Sequence, residues 1–166
     1  MTAPATGAPY DGHADWYDAW AHSDGATAMA AAEATQRRRG YIVVGADVSA
    51  DQLRLARSRI PVVRADGGAL PLRDGVARLA VSVLTHTDVD DYGSLVAEAV
   101  RVLEPSGCFV HVGVHPCFVS PVAERLTDGV RIHPGYRAAG WQGRTPFTGN
   151  AVRSRVGAHH LPCRTC

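Results

Sequence analysis

The sequence lacks lysine entirely, since all 17 of its basic residues are arginine. With the abundance of alanine and glycine, this usage is typical of a high-GC bacterial genome and carries no functional information. Acidic and basic residues nearly balance at a net charge of +1, so composition gives no argument for binding nucleic acid or an anionic membrane. The 166 residues are enough for one domain with its own core.

Long apolar runs are also missing, because no stretch approaches the roughly 18 apolar residues of a membrane span. The N-terminus has neither the basic nor the apolar region of a signal peptide. We therefore expect a cytoplasmic protein with reduced cysteines. The segment HHLPCRTC (159–166) offers metal ligands, but adjacent histidines do not match zinc-finger spacing and no second well-spaced ligand pair lies upstream. No metal site is predicted.

Short apolar runs alternate with helix-like segments between residues 41 and 114. The run YIVVGA (41–46) indicates a strand buried on both faces, and further strands are predicted at 61–66, 79–84 and 108–114. Ser49 and Gln52 match the S-x-x-Q capping box of a helix start, and another helix is predicted within 87–107. This order predicts an α/β fold with a mostly parallel sheet and flanking helices.

Composition divides the chain into three parts. Residues 1–9 consist largely of Ala, Thr, Pro and Gly and are predicted to be a disordered lead. Residues 10–127 begin with an amphipathic helix and contain the predicted strands, so we expect one domain there. Residues 128–166 are rich in Gly, Pro and Arg without a clear period, which predicts an irregular C-terminal segment.

Acidic residues stand where the predicted strands end: Asp47 after the first, Asp66 after the second and Asp88 after the third. In open parallel sheets the ligand lies beyond the carboxyl ends of the strands, and an acid there typically accepts hydrogen bonds from ribose hydroxyls. Asp47 could instead only begin the cap of the next helix. Spacing alone does not decide between these interpretations.

Three segments taken in order identify a family: VVGADVSADQLRLARSR, VVRADGGALPLRDGVARLAVSVLTH and EAVRVLEPSGCFVHVG. They resemble class I S-adenosylmethionine-dependent methyltransferases of the methyltransferase 11 type over roughly residues 40–118. The resemblance implies S-adenosylmethionine as the cofactor. Asp47 would then bind its ribose hydroxyls, with Val48 packing on the adenine. Asp66 would accept from the adenine amino group, and Gly67 would offer its backbone N–H.

Beyond the third strand, the resemblance implies that Leu84 and Thr85 line the methionine end of the cofactor. His86 and His115 are candidates for a general base, which is needed only if the methyl acceptor is protonated. Each histidine has a simpler interpretation as a loop residue, so the catalytic residue is left unknown.

The sequence departs from this family ahead of Asp47. The family places a first strand and a loop of the form D-x-G-x-G-x-G there, and a side chain at those glycines would occupy the space of the cofactor. From Trp20 to Arg39 this chain has only Gly25 and no apolar strand. We therefore predict an incomplete Rossmann-like methyltransferase fold that lacks a central strand, has exposed sheet edges and is also truncated at the C-terminus.

Two functions follow from this resemblance and this departure. The first is S-adenosylmethionine-dependent methyl transfer to a small molecule. The second is a non-catalytic remnant, either a pseudoenzyme or an interaction module, because the missing loop supplies a large share of the cofactor contacts. Exposed sheet edges would allow oligomerisation, and neither nucleic acid nor a membrane is predicted as a partner.

Overall fold

A computed structural model describes residues 7–23, 39–114, 122–143, 145–146 and 152–162. The chain divides into two compact units, with the boundary between Leu72 and Arg73. Among the described residues, no helix is both long and apolar enough to cross a membrane. The candidate base His115, the residues 24–38 and the cysteines other than Cys108 lie outside the described residues.

In its described part, the first unit contains two helices and one pair of parallel strands. Helix α1 (Ala14–Ser23) is followed by β1 (Gly45–Asp47), α2 (Ala50–Ala56) and β2 (Val62–Arg64). Strand β1 pairs with β2 in parallel, and α2 packs on both. Ser49 is the N-cap of α2 and its side chain accepts a hydrogen bond from the Gln52 N–H. This confirms the predicted capping box in its Ser49 half.

Helix α1 is amphipathic, as its spacing predicts. Ala14 is buried, and the ring of Tyr17 contacts those of Tyr10 and Trp20 at centroid distances of 5.1 and 5.6 Å. The carboxylate of Asp15 receives two hydrogen bonds from the Arg54 guanidinium, at 2.8 and 2.9 Å. These contacts attach α1 to α2.

The second unit is built on a longer pair of parallel strands. Strand β3 (Ala77–Val83) pairs with β4 (Leu103–Val112), and α3 (Tyr92–Val102) joins them and packs on β4. A 3₁₀ turn (Thr85–Thr87) follows β3. Helix α3 buries Leu95, Ala99 and Val102, whose spacing places them on one apolar face of the helix.

The strands described after β4 form short antiparallel pairs. Strand β5 (Ala123–Arg125) pairs with β6 (Val130–Ile132), and β7 (Gly140–Gln142) pairs with β8 (Ala158–His160). A one-turn helix, α4 (Arg153–Val156), precedes β8. The segment predicted to be irregular therefore contains regular structure in its described part. Three-residue strands are too short to show a period in the sequence.

The boundaries of two predicted elements were wrong. Helix α3 begins only after Asp91, whose carboxylate accepts from the Ser94 N–H at 3.1 Å, and it ends at Val102 rather than near Gly107. Strand β4 begins at Leu103, and a register irregularity lies between Ala77 and Leu79 of the paired β3. A bulge of this kind accommodates extra residues, here including Pro105 and Gly107, inside a strand.

The predicted α/β fold is confirmed, and so is its incompleteness among the described residues: the strands form separate two-stranded sheets and no continuous sheet. The predicted burial of YIVVGA on both faces was wrong. Only Gly45 and Ala46 of this run lie in β1, and Ile42 is 90% exposed. The side chain of Ile42 is thus left largely uncovered by the residues that the structure describes.

Candidate functional site

The end of β1 carries Asp47 on a tight turn. Its carboxylate oxygen Oδ1 accepts a hydrogen bond from the backbone N–H of Ser49 at 2.7 Å. The backbone carbonyl of Asp47 accepts from the N–H of Ala65 at 3.0 Å. This is an Asx-type turn, in which a short carboxylate holds the backbone two residues further on. The helix cap itself is Ser49, so the capping interpretation of Asp47 is only partly right.

The end of β2 lies beside it. Asp47 is in register with Arg64, and Asp66 follows two residues later. The guanidinium Nε of Arg64 donates to the carbonyl of Val48 at 2.9 Å, joining the two strand ends. Asp66 is exposed, and its Oδ1 accepts from the N–H of Gly68 at 2.8 Å. The parallel pairing therefore places two carboxylates on neighbouring turns at one edge of the sheet.

In the second unit, Leu84 follows β3 in a strained conformation. Its φ of 58° lies in the left-handed region, and it is the only non-glycine residue with a positive φ in the described part of the chain. This conformation costs a residue with a Cβ roughly 1–2 kcal/mol. The N–H of Leu84 donates to the carbonyl of Val112 at 2.7 Å, which holds the residue in place. Such strain persists where the surrounding structure enforces it, and it is concentrated at functional sites.

Thr85 lies in a short chain of hydroxyl hydrogen bonds. Its Oγ1 accepts from the Ser82 hydroxyl at 3.0 Å, and Ser82 Oγ lies 3.1 Å from Nδ1 of His111. His111 is a strand residue that faces α3, since its ring centroid is 5.1 Å from that of Tyr92. Thr85 and His111 thus belong to one polar network at the carboxyl end of β3.

His86 is buried between these groups, with 9% of its surface exposed. Its ring centroid lies 5.3 Å from that of His111 and 6.3 Å from that of Tyr92. Neither ring nitrogen makes a hydrogen bond of ordinary geometry with a described residue. Burial lowers the pKa of His86 below its usual 6.5, and the nearby His111 and Arg153 add to this. Asp88 and the Val114 backbone oppose the shift. The imidazole is therefore neutral at pH 7.

Gly113 makes this packing possible. A Cβ atom at Gly113 would lie 2.6 Å from Nε2 of His111 and 2.8 Å from Cε1 of His86. These distances are shorter than van der Waals contact, so a side chain at this position would displace both rings. Only glycine, which has no Cβ atom, allows the backbone after β4 to pass so close to the two histidines.

Asp88, the third acid at a strand end, forms an ion pair that the sequence did not predict. The buried guanidinium of Arg153 donates to both carboxylate oxygens of Asp88 and also to the hydroxyl of Thr87. It makes a further bond to the carbonyl of Gly157 at 3.3 Å. Arg153 is 65 residues from Asp88 in sequence, and no local pattern marks it.

Comparison with known proteins identifies the family. A family model described as a methyltransferase domain matches residues 24–111, more than half of the chain.

The chain belongs to the methyltransferase-domain family.

Two similar proteins illustrate the relationship. Malonyl-[acyl-carrier protein] O-methyltransferase 1 of Coxiella burnetii is 32% identical over 111 residues, which are 66% of this chain and 39% of that protein. The crystal structure of an S-adenosylmethionine dependent methyltransferase from Mesorhizobium loti is 26% identical, with a TM-score of 0.54 over 72% of this chain and 56% of that one. The chain thus spans less than two thirds of the length of either relative.

Membership confirms the predicted class I methyltransferase fold and implies S-adenosylmethionine as the cofactor. The described residues fit its adenosine half: Asp47 and Asp66 are acceptors at neighbouring strand ends, and the apolar side chain of Val48 is 42% exposed. For the methionine half, the sequence contains no counterpart of the Gly-rich loop between Trp20 and Arg39. The residues 24–38 lie outside the described part of the chain.

Proposed function

We propose that this chain is an S-adenosylmethionine-dependent methyltransferase acting on a small molecule, and that the ends of β1 and β2 bind the adenosine half of the cofactor. The parallel register of β1 and β2 supports this most directly, because it brings Asp47 and Asp66 to adjacent strand ends. Ligands of open parallel sheets bind at this edge.

Each residue at this edge has a separate role in the proposal. Asp47 accepts hydrogen bonds from the ribose hydroxyls, and the exposed side chain of Val48 covers one face of the adenine. Asp66 accepts from the adenine amino group, and Gly67 donates its backbone N–H to the ring. The two acids provide the charge-assisted part of the binding, which is worth about 1.5–3 kcal/mol for each such hydrogen bond.

The residues after β3 are those that the family resemblance assigns to the reacting end of the cofactor. Leu84 and Thr85 line the methionine part, and bound S-adenosylmethionine supplies an activated methyl group on a cationic sulfur. Transfer depends mainly on holding the acceptor in line with this methyl group. His86, neutral at pH 7, is the described candidate for accepting a proton from a hydroxyl acceptor, and His115 remains a second candidate.

Calorimetric titration of the whole chain with S-adenosylhomocysteine tests the proposal. Asp47→Asn keeps an oxygen that accepts from the Ser49 N–H, so the turn is preserved while the charge is lost. We expect binding to weaken roughly tenfold to a hundredfold, the equivalent of one charge-assisted hydrogen bond. The control is Asp128→Asn, an exposed acid in the turn between β5 and β6. Equal affinity of the wild type and the Asp47→Asn variant would refute the proposed site.

The second candidate function is a non-catalytic remnant that acts as an interaction module. The observation in its favour is the division of the described strands into separate pairs, with apolar residues such as Ile42 left exposed beside β1. Unpaired edges of this kind attract strands of another chain. Folded protein that shows no heat with S-adenosylhomocysteine, but sediments as an oligomer that Ile42→Lys dissociates, would favour this candidate over methyl transfer.

A further inference from the structure

The segment before α1 is attached to the turn after β1 by two carboxylates. The Asp11 carboxylate accepts hydrogen bonds from the Ser49 hydroxyl at 2.6 Å and from the Ala8 N–H at 3.2 Å. In return, the carboxylate of Asp51 accepts from the Gly12 N–H at 2.7 Å. Residues 38 or 39 positions apart in the sequence are therefore joined directly.

Ser49 is the residue through which these contacts reach the strand end. It is 1% exposed, the least exposed residue of this region. Its Oγ accepts from the Gln52 N–H at 3.2 Å and donates to Asp11, and its N–H donates to Oδ1 of Asp47. Because Asp11 takes the hydroxyl hydrogen, the Oγ lone pairs face α2. The N–H and the hydroxyl of Ser49 are thus both held by hydrogen bonds.

We infer that Asp11 is a positioning residue for Asp47 and acts through Ser49. This inference rests on the proposed function, in which Asp47 binds ribose. The bond from the Ser49 N–H holds one oxygen of the Asp47 carboxylate and so sets the plane in which that carboxylate meets the hydroxyls. A binding carboxylate has to be held within about 0.5 Å of its working position, and this is the task of the groups behind it.

Simple attachment of α1 to α2 does not require this arrangement. The Asp15–Arg54 pair connects α1 and α2 by two hydrogen bonds, and neither bond involves the Asp47 turn. Asp15 is therefore a matched control for Asp11. Loss of either weakens the attachment of α1, but only Asp11 is linked to the carboxylate proposed to bind ribose.

The test is calorimetric titration of the full chain with two probes: S-adenosylhomocysteine and its analogue lacking both ribose hydroxyls. For Asp11→Ala we expect about a tenfold loss of affinity for the first probe, the lower end of the loss seen when residues that orient metal ligands are replaced. Affinity for the analogue should be unchanged. Asp11→Asn keeps an acceptor for the Ser49 hydroxyl and should restore most of the affinity. Asp15→Asn should alter neither titration.

Ser49→Ala removes the same bond from the other side and should reproduce the ribose-selective loss, which covers the case in which Asp11→Ala does not fold. Equal losses for both probes, or no loss, would overturn the inference. The proposed function is judged separately by Asp47→Asn. If that variant weakens binding while Asp11→Ala and Ser49→Ala do not, only the inference fails. If Asp47→Asn has no effect, or the folded wild type does not bind, both fail.

A second readout does not depend on ligand. In the free protein, hydrogen exchange of the Ser49 amide should be several times faster in Asp11→Ala than in Asp15→Asn, because the Ser49–Asp47 bond is then no longer held from behind. Identical exchange rates in the two variants would also contradict the inference.

Discussion

Replacing Arg153 by methionine is expected to destabilise the second unit strongly. The side chains of Arg153 and Asp88 are only 10% and 19% exposed, so the variant leaves a largely buried carboxylate without its cation. It also removes the donors to the Thr87 hydroxyl and the Gly157 carbonyl. Removing one partner of a buried pair costs about 3–5 kcal/mol. The partial exposure of Asp88 places the expected loss near the lower end, about 3 kcal/mol.

Thermal and urea unfolding followed by circular dichroism would measure this loss. For a chain of this length, about 3 kcal/mol corresponds to a decrease in Tm of roughly 6–12 °C. The control is Arg155→Met, which changes an exposed arginine of the same short helix and should stay within about 0.5 kcal/mol. Adding Asp88→Leu to Arg153→Met should recover much of the stability, since the unpaired charge is then gone.

Equal Tm values for Arg153→Met and Arg155→Met would refute this reasoning. They would mean that α4 and β8 do not dock on the 3₁₀ turn through this ion pair. A large loss without recovery in the double variant would instead attribute the effect to the packing of the arginine stem.

Three further predictions concern packing and pH. Gly113→Ala should cost about 1–3 kcal/mol in urea unfolding, because its Cβ would overlap the buried rings, whereas Gly129→Ala, with open space around it, should be close to neutral. His86 has a pKa below 6.5 in the folded state, so the unfolded state binds more protons, and stability should fall as pH drops from about 6.5 through the lower folded pKa. His86→Asn should lack this decrease, and the same pH dependence of stability in the wild type and in His86→Asn would contradict the assignment. The Ser49 hydroxyl lowers the pKa of Asp11 below 3.8, so the contribution of the Asp11 carboxylate to stability is present above that pH and lost as pH falls through the folded pKa. The urea midpoints of the wild type and Asp11→Asn should therefore differ at pH 6 and converge in acid.

The sequence by itself determined the local structure and the family. Apolar runs with β-branched residues predicted the strands, the Ser49 cap predicted the start of α2, and the order of motifs predicted the methyltransferase fold. These features depend on neighbours close in sequence, so propensity and capping are enough to predict them. The absence of a Gly-rich segment before Asp47 likewise predicted exposed sheet edges.

Only the tertiary structure decided which polar groups meet. It paired Asp88 with Arg153, brought Asp11 to Ser49, and placed His86 beside His111 over the backbone of Gly113. Each contact joins residues far apart in the chain, and its energy depends on burial and on distances of a few ångströms. A local pattern carries no information about either quantity, whereas the way the strands and helices pack determines both.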